Sequence, residues 1–407
     1  PNTKLEFDSD AKSLARLARL AGMEPDETVQ RIGGGRLSGS ILGDLSAMTI
    51  DATASTAGAT ATVKGIVHPL AQPLNVDLAI KLQHPNADSL AATLSPGALP
   101  KGVKLGSLAL AATVMSAQDG AYSLDATMDL GGGQLGLKGT VTPGPERTAL
   151  ALDTRYAHPD VVALIRSLSP DYTPSKRDLG QATLASRLEG STDNLKINSL
   201  RLGLGPISLT GTASLSLTGP RPKLTLAAET GTIAIDPWLP KGSAAPAGGI
   251  APVVPVKSSS RTWSRETIDT SGLLAADADI TLKAEQVLYG AYKLDKLDLA
   301  AILDNGALTV SKLSSGLFGG TLDGTASLKH GATPEGGLTL SIKNADVRQA
   351  AMSASGAAQV TGTLNYETSL KTAGRSEYAL VSGLQGNGSI KVSDGTVEGF
   401  DLPAVSD

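Results

Sequence analysis

Two of the four histidines in this chain stand in matched contexts: His84-Pro85-Asn86 and His158-Pro159-Asp160. Imidazole suits both proton transfer near neutral pH and metal ligation. Either role needs converging partners, and no Cys or acidic cluster accompanies these two, so both are expected to be structural residues at helix starts. Carboxylate pairs offer a second chemistry. Asp277 and Asp279 lie two apart on a predicted strand and share a face, whereas Asp295 and Asp298 lie three apart and are expected to oppose each other. Solvated strand faces carry such pairs freely, so no glycosidase site follows from them. Gly33-Gly34-Gly35 and Gly131-Gly132-Gly133 lack the Gly-Lys-Ser/Thr and the long helix of a phosphate cradle, and are read as hairpin turns. No Ser sits in Gly-x-Ser-x-Gly. The sequence therefore predicts no enzyme, no metal and no cofactor.

Something other than catalysis must then account for the elements that would have positioned such groups. The chain has 407 residues, a formal net charge of −4, and Lys and Arg scattered singly, which gives no stripe for nucleic acid. There is no Cys, which removes disulfides and thiolate metal sites. No run of 18 apolar residues occurs, so no spanning helix is predicted. Aromatics are 3% of the chain, three Phe, seven Tyr and two Trp, so Leu, Val, Ile and Ala must carry the apolar surface.

That surface alternates with period two. Leu74, Val76, Leu78, Ile80 and Leu82 point one way; Asn75, Asp77, Ala79 and Lys81 point the other. The runs Leu108–Leu110–Ala112–Val114, Tyr122–Leu124–Ala126–Met128–Leu130, Thr148–Leu150–Leu152 and Leu209–Leu215–Leu217 behave alike, as do Leu224–Leu226–Ala228, Leu338–Leu340–Ile342 and Ile390–Val392. Strict alternation means antiparallel strands with one apolar and one polar face. Turn signals such as Asp119-Gly120, Asp304-Asn305-Gly306 and Asp394-Gly395 separate roughly 25 strands.

Helical signals are short. Ala11 to Met23 carries a Leu stripe beside Lys12, Arg16 and Arg19 and is expected to pack over a sheet end. The segments from His84 to Pro96 and from His158 to Pro170 match at both ends and at both internal leucines, 74 positions apart (84 to 158). Pro is placed in the first helical turn by this reading. Asn344-Ala345-Asp346 leading to Met352 is a fainter echo. A second marker, apolar-x-Gly-small, occurs at Leu37, Val63, Leu137, Leu209, Leu322, Val360 and Leu384. From Val63 to Leu137 is again 74 positions (63 to 137). Shared periods argue for a stacked repeat, and Gly inside a strand predicts a bulge or bend.

The expected architecture is all-β with a few short helices: an elongated, curved antiparallel sheet forming an apolar groove, built from repeats. Two packed β-sandwiches would alternate equally well. Lys241 to Val256 is rich in Ala, Gly and Pro, so the chain divides into a repetitive segment 1–240, a linker 241–270 and a β segment 271–407. Trp238 and Trp263 flank the linker and are read as capping sheet edges. The lining of the groove is assigned to Val76, Leu78, Ile80, Leu108, Leu110, Val114, Leu124, Met128, Leu209, Leu215 and Leu217. A lipid chain would supply the apolar contact these side chains lack, at roughly 25 cal/mol per Å² buried. Recruitment of partner strands at open sheet edges is the alternative from another class; an envelope-glycan enzyme is a third.

The part after the linker resembles the C-terminal region of the AsmA family of bacterial envelope proteins. The likeness lies in Arg261-Thr262-Trp263-Ser264-Arg265-Glu266-Thr267-Ile268-Asp269, in Leu317-Phe318-Gly319-Gly320-Thr321-Leu322-Asp323-Gly324, in Leu384-Gln385-Gly386-Asn387-Gly388-Ser389-Ile390, and in Asp394-Gly395-Thr396-Val397-Glu398-Gly399-Phe400-Asp401-Leu402. The first 240 residues are similar in style alone. The resemblance implies a β-groove like that of bridge-like lipid transfer proteins, with phospholipid and envelope membranes as partners and further proteins at the groove ends. It implies roles in outer-membrane assembly and lipid homeostasis. It also implies a periplasmic location. Members typically begin with an inner-membrane anchor and continue past the Gly-Phe-Asp-Leu run, so this chain is expected to be a soluble part of a longer protein.

Overall fold

In the computed structural model, residues 3–20, 24–25, 27–94, 104–169, 171–240, 263–355 and 359–397 are described. They form twenty strands and six short helices in two compact units. Most of the expected linker, 241–262, lies outside the described residues, as do the ends of three predicted helical segments, at 21–23, 95–96 and 170. The boundary between the units falls at Pro206, apart from Thr173–Lys176, which belong to the second.

The first unit is a meander of β1 (Thr3–Ala11), β2 (Gly35–Asp44), β3 (Ala47–Thr56), β4 (Ala59–His68), β5 (Asn75–His84), β6 (Leu108–Ser116), β7 (Tyr122–Leu130), β8 (Gly133–Thr142), β9 (Ala149–His158), β10 (Ala182–Ser191) and β11 (Asn194–Leu204). Each strand pairs antiparallel with the next. Helices α1 (Leu14–Leu20) and α2 (Glu27–Ile32) follow β1, α3 (Ala87–Leu94) follows β5, and α4 (Val161–Leu168) follows β9. Strands β1, β5 and β9 run the same way, so these helices share one rim. There Arg31 of α2 donates to the carbonyls of Thr93 and Leu94 at the end of α3.

The repeat is written in the hydrogen bonds of that rim. The first amide of each helical connection donates to a Gly carbonyl nineteen positions on: Leu14 to Gly33, Ala87 to Gly106, Val161 to Gly180. Helix N-termini need such acceptors for their orphan amides. The caps are Asn86 and Asp160, so the prolines stand one residue outside the helix and not in its first turn. The Asp160 carboxylate accepts from Val162 and Ala163, and Asn86 Oδ1 accepts from Ser89. Gly33–Gly34 also depart from expectation. They join α2 to β2, because the chain is still helical to Ile32.

The second unit holds β12 (Ile207–Ser216), β13 (Lys223–Ala234), β14 (Asp277–Tyr289), β15 (Tyr292–Asp304), β16 (Ala307–Leu317), β17 (Gly320–Lys329), β18 (Glu335–Asp346), α5 (Val347–Ser355), β19 (Thr363–Ala373), α6 (Glu377–Ser382) and β20 (Gln385–Ser393). Sequential neighbours pair antiparallel except β13 and β14, which are parallel, with Lys223 opposite Asp277. A parallel pair needs a crossover of a dozen residues or more, and the segment between Ala234 and Asp277 is long enough to provide it. Residues 263–270 run past α6: Tyr378 N–H donates to Ser264 O, and Ile268 N–H to Arg375 O. Trp263 is exposed and Trp238 half-buried.

Candidate functional site

Each unit presents one curved, unclosed sheet with an aliphatic face. In the first unit the register settles which side chains share it, because directly opposed residues on neighbouring strands project to the same side. Leu78 faces Val114, Ile80 faces Ala112, and His84 faces Leu108 across β5 and β6. Val114 then faces Leu124, and Leu110 faces Met128, across β6 and β7. Val67 of β4 opposes Val76. All eight lining residues predicted on β5, β6 and β7 therefore lie on one surface. Beyond them the same surface continues into Leu135 and Leu137 of β8, and into Leu152 of β9 opposite Leu188 of β10.

In the second unit Leu209 and Leu215 of β12 oppose Thr230 and Leu224 of β13, and Leu224 and Leu226 oppose Ala278 and Ile280 of β14. Leu217 falls one position beyond β12 and is 47% exposed.

The reverse surface is polar and wet. Asp77, Ala79, Lys81 and Gln83 of β5 are exposed. Ion pairs bridge neighbouring strands there: Asp51 to Lys64 at 2.8 Å, Asp125 to Lys138 at 3.0 Å, Asp153 to Arg187 at 3.0 Å. Such exposed pairs add little to stability, and they mark this side as the one that faces water.

The aliphatic face is not covered by a second sheet. Among the described residues the only large side chains wholly shielded from solvent are Val161 and Val162 of α4, at the rim. A two-layer sandwich would bury a continuous core of such residues. Leu78, Ile80, Leu110, Val114, Leu124 and Met128 are instead half-buried. The single-sheet expectation holds and the sandwich does not.

The apolar-x-Gly markers fall on this face, though they act differently from the predicted bulges. Register runs unbroken through Gly39, Gly65, Gly139 and Gly211. A Cβ on Gly65 would stand 1.9 Å from the carbonyl oxygen of Asp77, and one on Gly139 2.0 Å from that of Ala151. Their φ values, +145° and +154°, also disfavour an L side chain. These positions let adjacent backbones close up on the aliphatic face. The bulges lie between Ala185 and Arg187, Asp295 and Asp298, Ala300 and Ala301, Val310 and Leu313, and Ile342 and Ala345, and of the markers Gly324, paired with Leu313, stands beside one of them.

The bulge in β15 corrects one expectation. Leu294 and Leu297, three apart, both join the small core of Ala284 and Val287, so the extra residue brings Asp295 and Asp298 onto the same, polar, side. Both are engaged, Asp295 by Gln286 and Lys293, Asp298 by Lys312. The Gln286 amide, ahead of Lys293, holds the Asp295 carboxyl below the usual carboxylate range, the wrong direction for a general acid. Asp277 is likewise lowered, first by the Asn305 amide and then by Arg221, and Asp279 pairs with Lys223. The lining beyond the bulges, Leu294, Leu297 and Leu299, was missed in the sequence because its three-residue step breaks the alternation.

His84 and His158 are buried at the rim. His84 Nε2 lies 2.8 Å from Ala57 O and Nδ1 accepts the Asn86 amide at 3.0 Å; His158 repeats this with Gly131 O and Asp160. Among the described residues no group of three or more His, Asp or Glu could hold a metal, and no helix is long and apolar enough to cross a membrane.

The sequence profile of the AsmA family matches residues 162–405. The chain belongs to the AsmA family. The match begins in α4, far upstream of the Arg261 motif, and so this AsmA-family region includes the last two strands of the first unit. Neither the curated proteins nor the solved structures contain a match to it.

Proposed function

We propose that this AsmA-family protein binds lipid by its acyl chains along the aliphatic sheet face and passes it between envelope membranes, contributing to outer-membrane assembly and lipid homeostasis. The observation that carries the reading is the continuous row from Val76 to Leu152 on one side of a sheet without a covering layer. Open aliphatic surface of this extent is unfavourable in water, and an acyl chain laid on it would gain roughly 25 cal/mol per Å². The headgroup would stay at the open side, where no burial of charge is required.

On this reading the protein works in the periplasm as part of an inner-membrane-anchored chain, uses no cofactor and performs no covalent chemistry. Lipid extraction from purified protein, followed by mass spectrometry, tests it. Wild type is expected to carry phospholipid, and Leu78→Glu with Leu124→Glu to carry almost none and to weaken the envelope in cells. Lipid-free wild type, with an undisturbed envelope in the double variant, would refute the proposal.

A further inference from the structure

Eight polar or charged side chains are buried among the described residues, and seven of them have hydrogen-bond partners. On the aliphatic faces the usual solution is a neighbouring backbone carbonyl: Thr230 donates to Ser208 O, Ser315 to Asp295 O, Thr368 to Asn387 O. Thr154 is the exception. It is 9% exposed, and its hydroxyl oxygen is sealed from solvent without any partner. A buried hydroxyl left unpaired is costly and calls for an explanation.

Thr154 lies on the aliphatic face of the first unit, in unbroken register between Leu137 of β8 and Ser186 of β10. Two positions on, Tyr156 reaches over Gly133, whose absent Cβ would stand 2.3 Å from the phenol oxygen. Thr154 and Ser186 thus stand side by side on an otherwise hydrocarbon surface, while the Tyr156 phenol points away from them along β8. Neighbouring Leu137 and Leu188 on this face are half-buried with no second layer above them, so a guest can turn them aside.

We propose that Thr154, with Ser186 beside it, is a polar station for an acyl ester: the hydroxyl donates to the ester carbonyl oxygen of a lipid whose chains lie on the flanking leucines. This rests on the lipid-binding reading and narrows its ligand to ester-linked acyl lipids over ether-linked alkyl ones.

The test is equilibrium binding of a fluorescent diacyl ester phospholipid and of its dialkyl ether analogue to wild type, Thr154→Val and Thr154→Ser. Wild type should prefer the ester by about three- to tenfold, the worth of one hydrogen bond. Thr154→Val should abolish that preference with ether binding unchanged and a melting temperature equal or higher, while Thr154→Ser keeps the preference. Equal affinity of wild type for the two lipids overturns the station, as does an ester preference that survives in Thr154→Val; the lipid-binding reading stands in both cases. Failure of wild type to bind either lipid overturns both.

Discussion

His158 Nε2 lies 3.1 Å from the carbonyl oxygen of Gly131, so that nitrogen carries the ring proton while Nδ1 accepts the amide of Asp160. His84 does the same with Ala57 and Asn86. One ring thereby ties a hairpin turn to the start of a rim helix in two of the three copies of the repeat. Replacing His158 by Ala leaves the Asp160 amide without its acceptor. The expected loss is about 1–3 kcal/mol, measured by urea unfolding, with faster amide exchange in α4. An unchanged midpoint would show that the tie is dispensable.

The marker glycines of the aliphatic face should resist any side chain. Gly139→Ala would force a Cβ to 2.0 Å from Ala151 O, whereas Gly136→Ala meets only Arg155 O at 3.9 Å. The first should destabilise by roughly 2 kcal/mol or more, and the second should be near neutral. Thermal melting of the pair distinguishes close backbone approach from a general intolerance of β8 to substitution.

Acid should weaken the junction of β13 with β14. Asp277 has a carboxyl pKa below its ordinary value, held there by the Asn305 amide first and Arg221 second. Because the folded pKa is the lower one, its contribution is present above about pH 4 and is lost as pH falls through the folded value. Asp277→Asn should therefore be less stable than wild type at pH 7, with the gap closing toward pH 3. Urea midpoints at the two pH values check this; a gap independent of pH would assign the effect to packing.

Much of this architecture was legible in the chain. Residues 74–82 and 122–130 alternate cleanly because each of these strands keeps one face on hydrocarbon and one in water, and the matched His-Pro segments marked two of the rim helices. The bulges of β15 and β16 were not legible. A three-residue step from Leu294 to Leu297 looks like a turn of helix until its cross-strand partners are known. The parallel pairing of β13 with β14 depends on where a long crossover returns, which no local pattern encodes. Nor was Thr154 singled out, although it continues the parity of Leu150 and Leu152, since a Thr at such a place ordinarily finds a carbonyl.

The most direct measurement places a charge on either side of one strand pair and titrates each variant with a fluorescent acyl phospholipid. Ile80→Glu with Ala112→Glu alters the aliphatic face, and Ala79→Glu with Thr113→Glu, their neighbours on β5 and β6, alters the polar one. The first variant should lose binding at least tenfold while the second binds like wild type. Equal binding by both variants would contradict the claim that lipid lies on the aliphatic face.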